Sequence, residues 1–152
     1  MLETITRSAF ETEAFGGILA QALAEGDVVF LRGDLGTGKT TLVRGACRAL
    51  AIPALVTSPT FTIGHLYEGG AVRIAHLDLY RFTGFSPAEW GDLEPYFDRT
   101  LAFVEWPDAG AAALPTARVV VDFAHRTPDE RRLTIDSPDA SLLEELARTW
   151  RP

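Results

Sequence analysis

The segment Gly33-Asp34-Leu35-Gly36-Thr37-Gly38-Lys39-Thr40 fits the pattern G-x-x-x-x-G-K-[ST] at every specified position. The chemistry such a segment offers is phosphate binding. Gly33, Gly36 and Gly38 let the backbone take dihedrals that turn successive N–H groups inward, making a cradle for phosphate oxygens with no side chains in the way. A helix opening at Lys39 adds the positive end of its dipole. In a loop of this kind the Lys39 ammonium bridges the β- and γ-phosphates and the Thr40 hydroxyl is offered to Mg²⁺. Thr37 inside the loop and Thr41 just past it join the candidate nucleotide-binding residues. Asp34 has no part in this scheme, and its carboxylate is expected to face solvent or the loop backbone.

Holding Mg²⁺ beside the loop calls for an acid at the end of a neighbouring strand, because the metal must be gripped from the side opposite the Thr40 hydroxyl. Three acids follow apolar runs: Asp78 in Ala75-His76-Leu77-Asp78, Glu105 in Phe103-Val104-Glu105, and Asp122 after Val121. Spacing leaves the choice open, since each also reads as the first solvated residue beyond a buried strand. Tyr80-Arg81 beyond Asp78 and Trp106-Pro107 beyond Glu105 add polar and aromatic groups, whereas Asp122 is followed only by Phe123. Ser58-Pro59-Thr60 is a second chemical loop. Its stiffened pair of hydroxyls suits an attacking water or a γ-phosphate, or else it is a turn leading into the next strand. His76 reads either as a hydrogen-bonded core histidine or as a catalytic group. Arg81 could stabilise transition-state charge or simply pair with surface acids.

Positioning these groups falls to an alternation of helices and apolar strands. Val28-Val29-Phe30-Leu31 is a continuous apolar run, the mark of a strand buried on both faces, and it leads straight into the glycines. From Lys39 onward Leu42, Val43, Ala46, Cys47 and Leu50 recur at helical spacing until Pro53. Ahead of the strand, the sequence predicts an extended start at residues 2–6. A helix follows, with Ala14, Phe15, Ile18, Leu19, Ala22 and Leu23 on one face and Gly26 closing it. Segments 61–68 and 71–79 flank Gly69-Gly70 as a hairpin. Ser86 as a cap with Glu89 reaching back predicts one or two short helices over 88–97. Leu101-Ala102-Phe103-Val104 and Val119-Val120-Val121 are further strands, 131–136 is an edge strand beside the latter, and 139–150 is a terminal helix. The expected architecture is α/β, a P-loop NTPase-like three-layer sandwich with a mixed, largely parallel sheet and a hairpin, in a single domain over 1–152.

Composition narrows the partners. The chain has 152 residues, of which 47% are hydrophobic, enough apolar material for one ordinary core. Its 14 basic and 21 acidic residues leave a net charge of −7, which argues against a nucleic-acid clamp, since backbone affinity for nucleic acid needs a dense basic face. Lys39 is the only lysine. Every other cation is an arginine, and the exception stands where a compact ammonium must fit between phosphates. There is no asparagine, which removes the Asn-Lys-x-Asp element that reads guanine. Cys47 is alone, so no internal disulfide or cysteine zinc site forms. The first fifteen residues lack a basic start followed by an apolar run, and no stretch reaches the ~18 apolar residues a spanning helix needs. A soluble cytoplasmic protein without a membrane partner is expected.

Taken together, Gly-Asp-Leu-Gly-Thr-Gly-Lys-Thr-Thr at 33–41, Ser-Pro-Thr-Phe at 58–61, His-Leu-Asp-Leu-Tyr-Arg at 76–81 and Val-Glu-Trp-Pro at 104–107 resemble the TsaE family. These are bacterial P-loop ATPases required for threonylcarbamoyladenosine formation in tRNA. The resemblance implies that Asp78 and Glu105, rather than Asp122, complete the Mg²⁺ site with Thr40. It makes Ser58 and Thr60 switch-like residues near the γ-phosphate and places Trp106 beside the nucleotide. It further implies partnership with the TsaD and TsaB proteins, with tRNA contacted only indirectly through them. For the adenine, the neighbourhood of Glu11 and the turn at 126–132 are the candidate regions.

The expected reaction is ATP + H₂O → ADP + phosphate, with Lys39, Thr60, Asp78 and Glu105 as candidate catalytic residues and ATP and Mg²⁺ as ligands. Gln21, the only glutamine, precedes the loop, so no downstream glutamine can orient the water, and hydrolysis by the isolated chain is expected to be slow. Two other readings share the loop. A small-molecule kinase would use Arg126, Arg131 or Arg132 as a lid over the phosphates. A nucleotide-gated adaptor would bind without useful hydrolysis.

Overall fold

The chain runs β1 (Leu2–Thr6), α1 (Ala9–Ala22), β2 (Val28–Arg32), α2 (Lys39–Ala49), β3 (Gly64–Tyr67), β4 (Arg73–Asp78), α3 (Pro87–Leu93), β5 (Thr100–Glu105), β6 (Val119–His125), β7 (Arg131–Asp136) and α4 (Ala140–Thr149). Short 3₁₀ turns follow α3 at Glu94–Phe97 and β5 at Pro107–Gly110. The structure, a computed structural model, describes residues 1–53, 55–59, 63–82, 86–110 and 112–152.

The seven strands among the described residues form one sheet in the order β1-β7-β6-β2-β5-β4-β3. The four central strands, β6, β2, β5 and β4, are parallel neighbours, and antiparallel strands extend the sheet on both sides. The expected mixed sheet is present, with its parallel part confined to the centre. The hairpin around Gly69 is β3–β4, paired from Gly64↔Leu77 to Tyr67↔Ile74. Its first strand begins at Gly64; positions 61 and 62, where the sequence predicts it to start, lie outside the described residues.

The apolar run of β2 is explained by helices on both faces of the sheet. Val29 and Leu31 pack into the core shared with α1, α2 and α4, while Val28 and Phe30 pack into a second core with Leu93 of α3, Leu79 and Leu114. Three layers result. The β7 strand is not the edge expected of it: β1 pairs along its outer side from Leu2↔Ile135 to Thr6↔Arg131. Strand β6 likewise does not stop at Asp122 but continues to His125, with Asp122 exposed and Phe123 turned into the core. Alternation in this antiparallel flank, rather than a strand end, accounts for that acid.

The first helix starts earlier than its apolar face suggests, because Phe10 on its first turn is 76% exposed and breaks the periodicity. Ser8 caps it, accepting from the Glu11 N–H at 3.1 Å, and Glu11 returns a bond to the Arg7 N–H at 2.7 Å. Helices α1 and α2 meet backbone to backbone. A Cβ on Gly16 would collide with the Leu42 carbonyl oxygen, and one on Gly45 with that of Glu13. Only glycine permits this approach. The expected capping box at the start of α3 is formed, Ser86 Oγ accepting from Glu89 N at 3.2 Å and Ser86 N donating to Glu89 Oε1 at 3.3 Å. Leu142 and Leu146 of α4 are buried, and the Trp150 ring stands edge-on to Phe15 at 5.3 Å. At the opposite end of the sheet from the phosphate loop, Arg118 bridges Asp27 and Asp139, at 2.9 Å to each.

Candidate functional site

Three parallel strands deliver the candidate chemistry to one level. The register pairs Leu31 with Glu105 and Glu105 with Asp78, so the carboxyl ends of β2, β5 and β4 lie side by side. Ligands of open α/β sheets bind at such ends. The phosphate loop leaves β2 there, Trp106 follows Glu105 out of β5, and Asp78 closes β4.

In the loop, Gly36 and Gly38 have φ of 77° and 105°, in the left-handed region that glycine tolerates. Gly38 is the N-cap of α2, and having no side chain it provides no cap for the helix's first N–H groups. Those groups and the dipole behind them form a site of positive potential suited to an anion. The Lys39 Nζ donates to the carbonyl oxygens of Gly33 at 2.6 Å and Asp34 at 2.8 Å and lies 4.9 Å from the centre of the Trp106 ring. Burial lowers the Lys39 pKa below its ordinary value, against the opposing pull of the Glu105, Asp78 and Asp34 carboxylates. Asp34 thus acts through its backbone oxygen, which also accepts from the Thr37 hydroxyl at 2.7 Å.

Opposite the loop, the Thr40 hydroxyl donates to Glu105 Oε2 at 3.0 Å. Ser58 Oγ donates to Asp78 Oδ2 at 3.1 Å, and the Tyr80 N–H holds Oδ1 of the same carboxylate at 3.0 Å. Trp106 has φ of 55°, a strained conformation for a bulky side chain, held by its N–H bond to Leu31 O at 3.3 Å and by the Tyr80 ring 4.9 Å away. The donor set of Thr40, Glu105, Asp78 and Ser58 is all oxygen, the chemistry a hard divalent cation such as Mg²⁺ requires.

These groups surround a cavity of about 360 Å³ lined by Leu35, Gly36, Thr37, Gly38, Lys39, Thr40, Thr41, Ser58, Asp78, Glu105 and Trp106. Gly33 stands behind the loop as an acceptor for Lys39. Thr60 lies outside the described residues. Asp122 and Arg81 do not line the cavity, and Arg81 is exposed. His76 sits beneath it, fully buried, with Nε2 2.5 Å from Glu105 Oε2.

The far wall is made by Ser8, Ala9 and Thr12 at the start of α1 and by Asp129 and Arg131 beside the β6–β7 turn. Both regions were candidates for the adenine, although Glu11 itself turns back to cap its helix. Of the three arginines considered for a lid only Arg131 lines the cavity, braced by the carbonyls of Thr127, Pro128 and Glu130 and reaching Gly36 O at 3.4 Å. Arg126 is paired with Glu130 and Arg132 with Glu3. No local pattern marks Ser8, Thr12 or Asp129, since only the tertiary fold brings them to the loop.

Comparison with known proteins places this arrangement. The family model "Threonylcarbamoyl adenosine biosynthesis protein TsaE" matches residues 6–133. A tRNA threonylcarbamoyladenosine biosynthesis protein TsaE from Bacillus subtilis is 37% identical over 142 residues, covering 91% of this chain and 89% of the relative. One from Treponema pallidum is 31% identical over 135 residues, covering 88% of this chain and 99% of the relative. The crystal structure of Bacillus subtilis YdiB superposes with a TM-score of 0.81 at 32% identity, covering 97% of this chain and 94% of that one. With a matching family model across most of its length, relatives of nearly equal size and the same fold, the chain belongs to the TsaE family of tRNA threonylcarbamoyladenosine biosynthesis proteins.

Proposed function

We propose that the chain binds ATP with Mg²⁺ in the cavity between the phosphate loop and the ends of β4 and β5, and hydrolyses it slowly to ADP and phosphate. The observation that carries this reading is the convergence of Lys39, Thr40, Asp78 and Glu105 on one cavity at the start of an uncapped helix. Lys39 offers its charge to phosphate oxygens, and its Nζ lies over the Trp106 ring. Mg²⁺, when bound, neutralises phosphate charge. Thr40, Glu105 and Asp78 are the residues that would hold it. Ser58 fixes the Asp78 carboxylate.

Slow turnover follows from what surrounds the cavity. Gln21, the only glutamine, is exposed on α1 and does not line the cavity, so water orientation must come from another group. In support of the family's pathway, hydrolysis would serve the TsaD and TsaB proteins, which act on the tRNA, while this acidic chain contacts RNA only through them. The test is phosphate release by the wild type and by Lys39→Ala, each with and without TsaD and TsaB. Slow release by the chain alone, accelerated by the partners and abolished in the variant, supports the reading. Rapid release unaffected by Lys39→Ala contradicts it.

A further inference from the structure

We infer that His76 is a positioning residue for the metal site: buried on β4, it locks the Glu105 carboxylate and, through it, the Thr40 hydroxyl. This rests on the Mg²⁺ reading above. His76, Asp78 and Glu105 share the sheet face that packs against α2, because Asp78 pairs with Glu105 and His76 with Phe103 in the parallel β4–β5 ladder. That register sets the His76 ring below the Glu105 side chain rather than opposite it. Nε2 approaches Glu105 Oε2 at 2.5 Å, and the same oxygen accepts the Thr40 hydroxyl at 3.0 Å. A carboxylate is acceptor-only, so Nε2 carries the proton and donates. The other ring nitrogen, Nδ1, is buried and has no hydrogen-bond partner among the described residues, so the ring's hydrogen bond there is the one to Glu105.

Two consequences make this more than core packing. With Oε2 committed to two donors, the carboxylate is held in orientation, and among the described residues Oε1 carries no hydrogen bond and is the oxygen left for a ligand. The Thr40 proton is directed at Glu105 Oε2, so the lone pairs of its oxygen are free to face a cation. A ligating carboxylate oriented by a hydrogen-bonded neighbour binds metal more tightly than one that must be ordered on binding. Among the described residues, His76 and Thr40 are the side chains hydrogen-bonded to Glu105.

The test compares ADP affinity in excess Mg²⁺ and in EDTA, by isothermal titration, for the wild type, His76→Leu, His76→Gln, Glu105→Ala and the double variant His76→Leu with Glu105→Ala. Leucine fills the volume without a donor. Glutamine places an amide N–H near the position of Nε2. In His76→Leu the Mg²⁺-dependent gain in affinity falls about tenfold or more, while affinity in EDTA stays within about twofold of wild type. His76→Gln restores most of the gain, and the double variant is no worse than Glu105→Ala. Equal losses in EDTA and in Mg²⁺ would indicate a structural role and overturn the inference, as would a folded His76→Gln that has lost the Mg²⁺ response. A wild type that ignores Mg²⁺ overturns the metal reading itself. A wild type that responds, with a His76→Leu that responds equally, overturns this inference alone.

Discussion

Thr40 at the start of α2 and Glu105 at the end of β5, 65 positions apart, are joined by a hydrogen bond of 3.0 Å across the mouth of the phosphate loop. The bond joins two residues that line the cavity, and it exists because the parallel β2–β5 register sets Glu105 level with Leu31, just before the loop begins. Glu105→Gln keeps the volume and removes the charge. Hydrolysis in Mg²⁺ is expected to fall by about 100-fold or more, with ADP affinity in EDTA preserved. Steady-state phosphate release and titration in the two conditions check this.

Gly16 and Gly45 hold α1 and α2 at backbone contact, and a methyl group on either strikes a carbonyl oxygen that cannot move without shifting a helix. Gly16→Ala or Gly45→Ala is expected to destabilise the fold by about 2 kcal/mol or more, lowering Tm by roughly 5 °C. Gly91, with no described residue near its Cβ position, provides the control: alanine there should leave Tm unchanged or raise it slightly. Thermal unfolding of the three variants makes the comparison.

Cys47 is the single thiol, buried in α2, and burial raises its pKa to about 12. Both the thiolate and access to it are therefore withheld until the fold opens. Labelling by a thiol reagent at pH 8 should proceed only through opening of the fold. MgADP, if it binds the folded form, slows labelling in proportion to 1 + [ADP]/Kd in the regime where opening is a rapid equilibrium. Labelling rates measured across an ADP series give the affinity without any assay of hydrolysis.

Asp139 caps α4 and meets Arg118. Its bonds to the Ser141 hydroxyl first, then to Arg118 and the Leu142 N–H, lower its pKa from 3.8 to about 2. A carboxylate depressed in the folded state stabilises it above the unfolded pKa, and that stabilisation is lost as pH falls through the folded value. Asn caps as well as Asp, so Asp139→Asn isolates the charge. The Tm difference between wild type and variant should be constant above about pH 4 and shrink as pH falls toward about 2.

Much of the site was legible in the sequence because its parts are local. The loop motif is contiguous, β2 and α2 announce themselves by apolar run and helical period, and Asp78 and Glu105 each end a recognisable strand. Choosing them over Asp122 took the family resemblance, since all three follow apolar runs; the structure adds the reason, which is that β6 runs on past Asp122 beside an antiparallel neighbour. What stayed hidden depends on contacts between distant segments. Strand β1 covers β7 because the N-terminus returns to the far edge of the sheet, a choice no local pattern encodes. The neighbourhood of Glu11 and the 126–132 turn with Arg131 were candidates from the sequence, but which of their residues reach the cavity is likewise set by the fold. The two readings of His76, core histidine or chemical group, were separable only once the β4–β5 register put its ring under Glu105.

The most direct measurement is the affinity of ATP for the wild type and for Lys39→Ala, by isothermal titration in Mg²⁺. Lys39 is the one lysine, buried at the cavity floor between loop carbonyls and the Trp106 ring, and removing it takes away the charge that meets the phosphates. Binding by the wild type that weakens by about 100-fold in a folded Lys39→Ala is the expected result. A wild type that does not bind ATP, or a folded variant that binds it equally well, would contradict the assignment of this cavity to nucleotide phosphate.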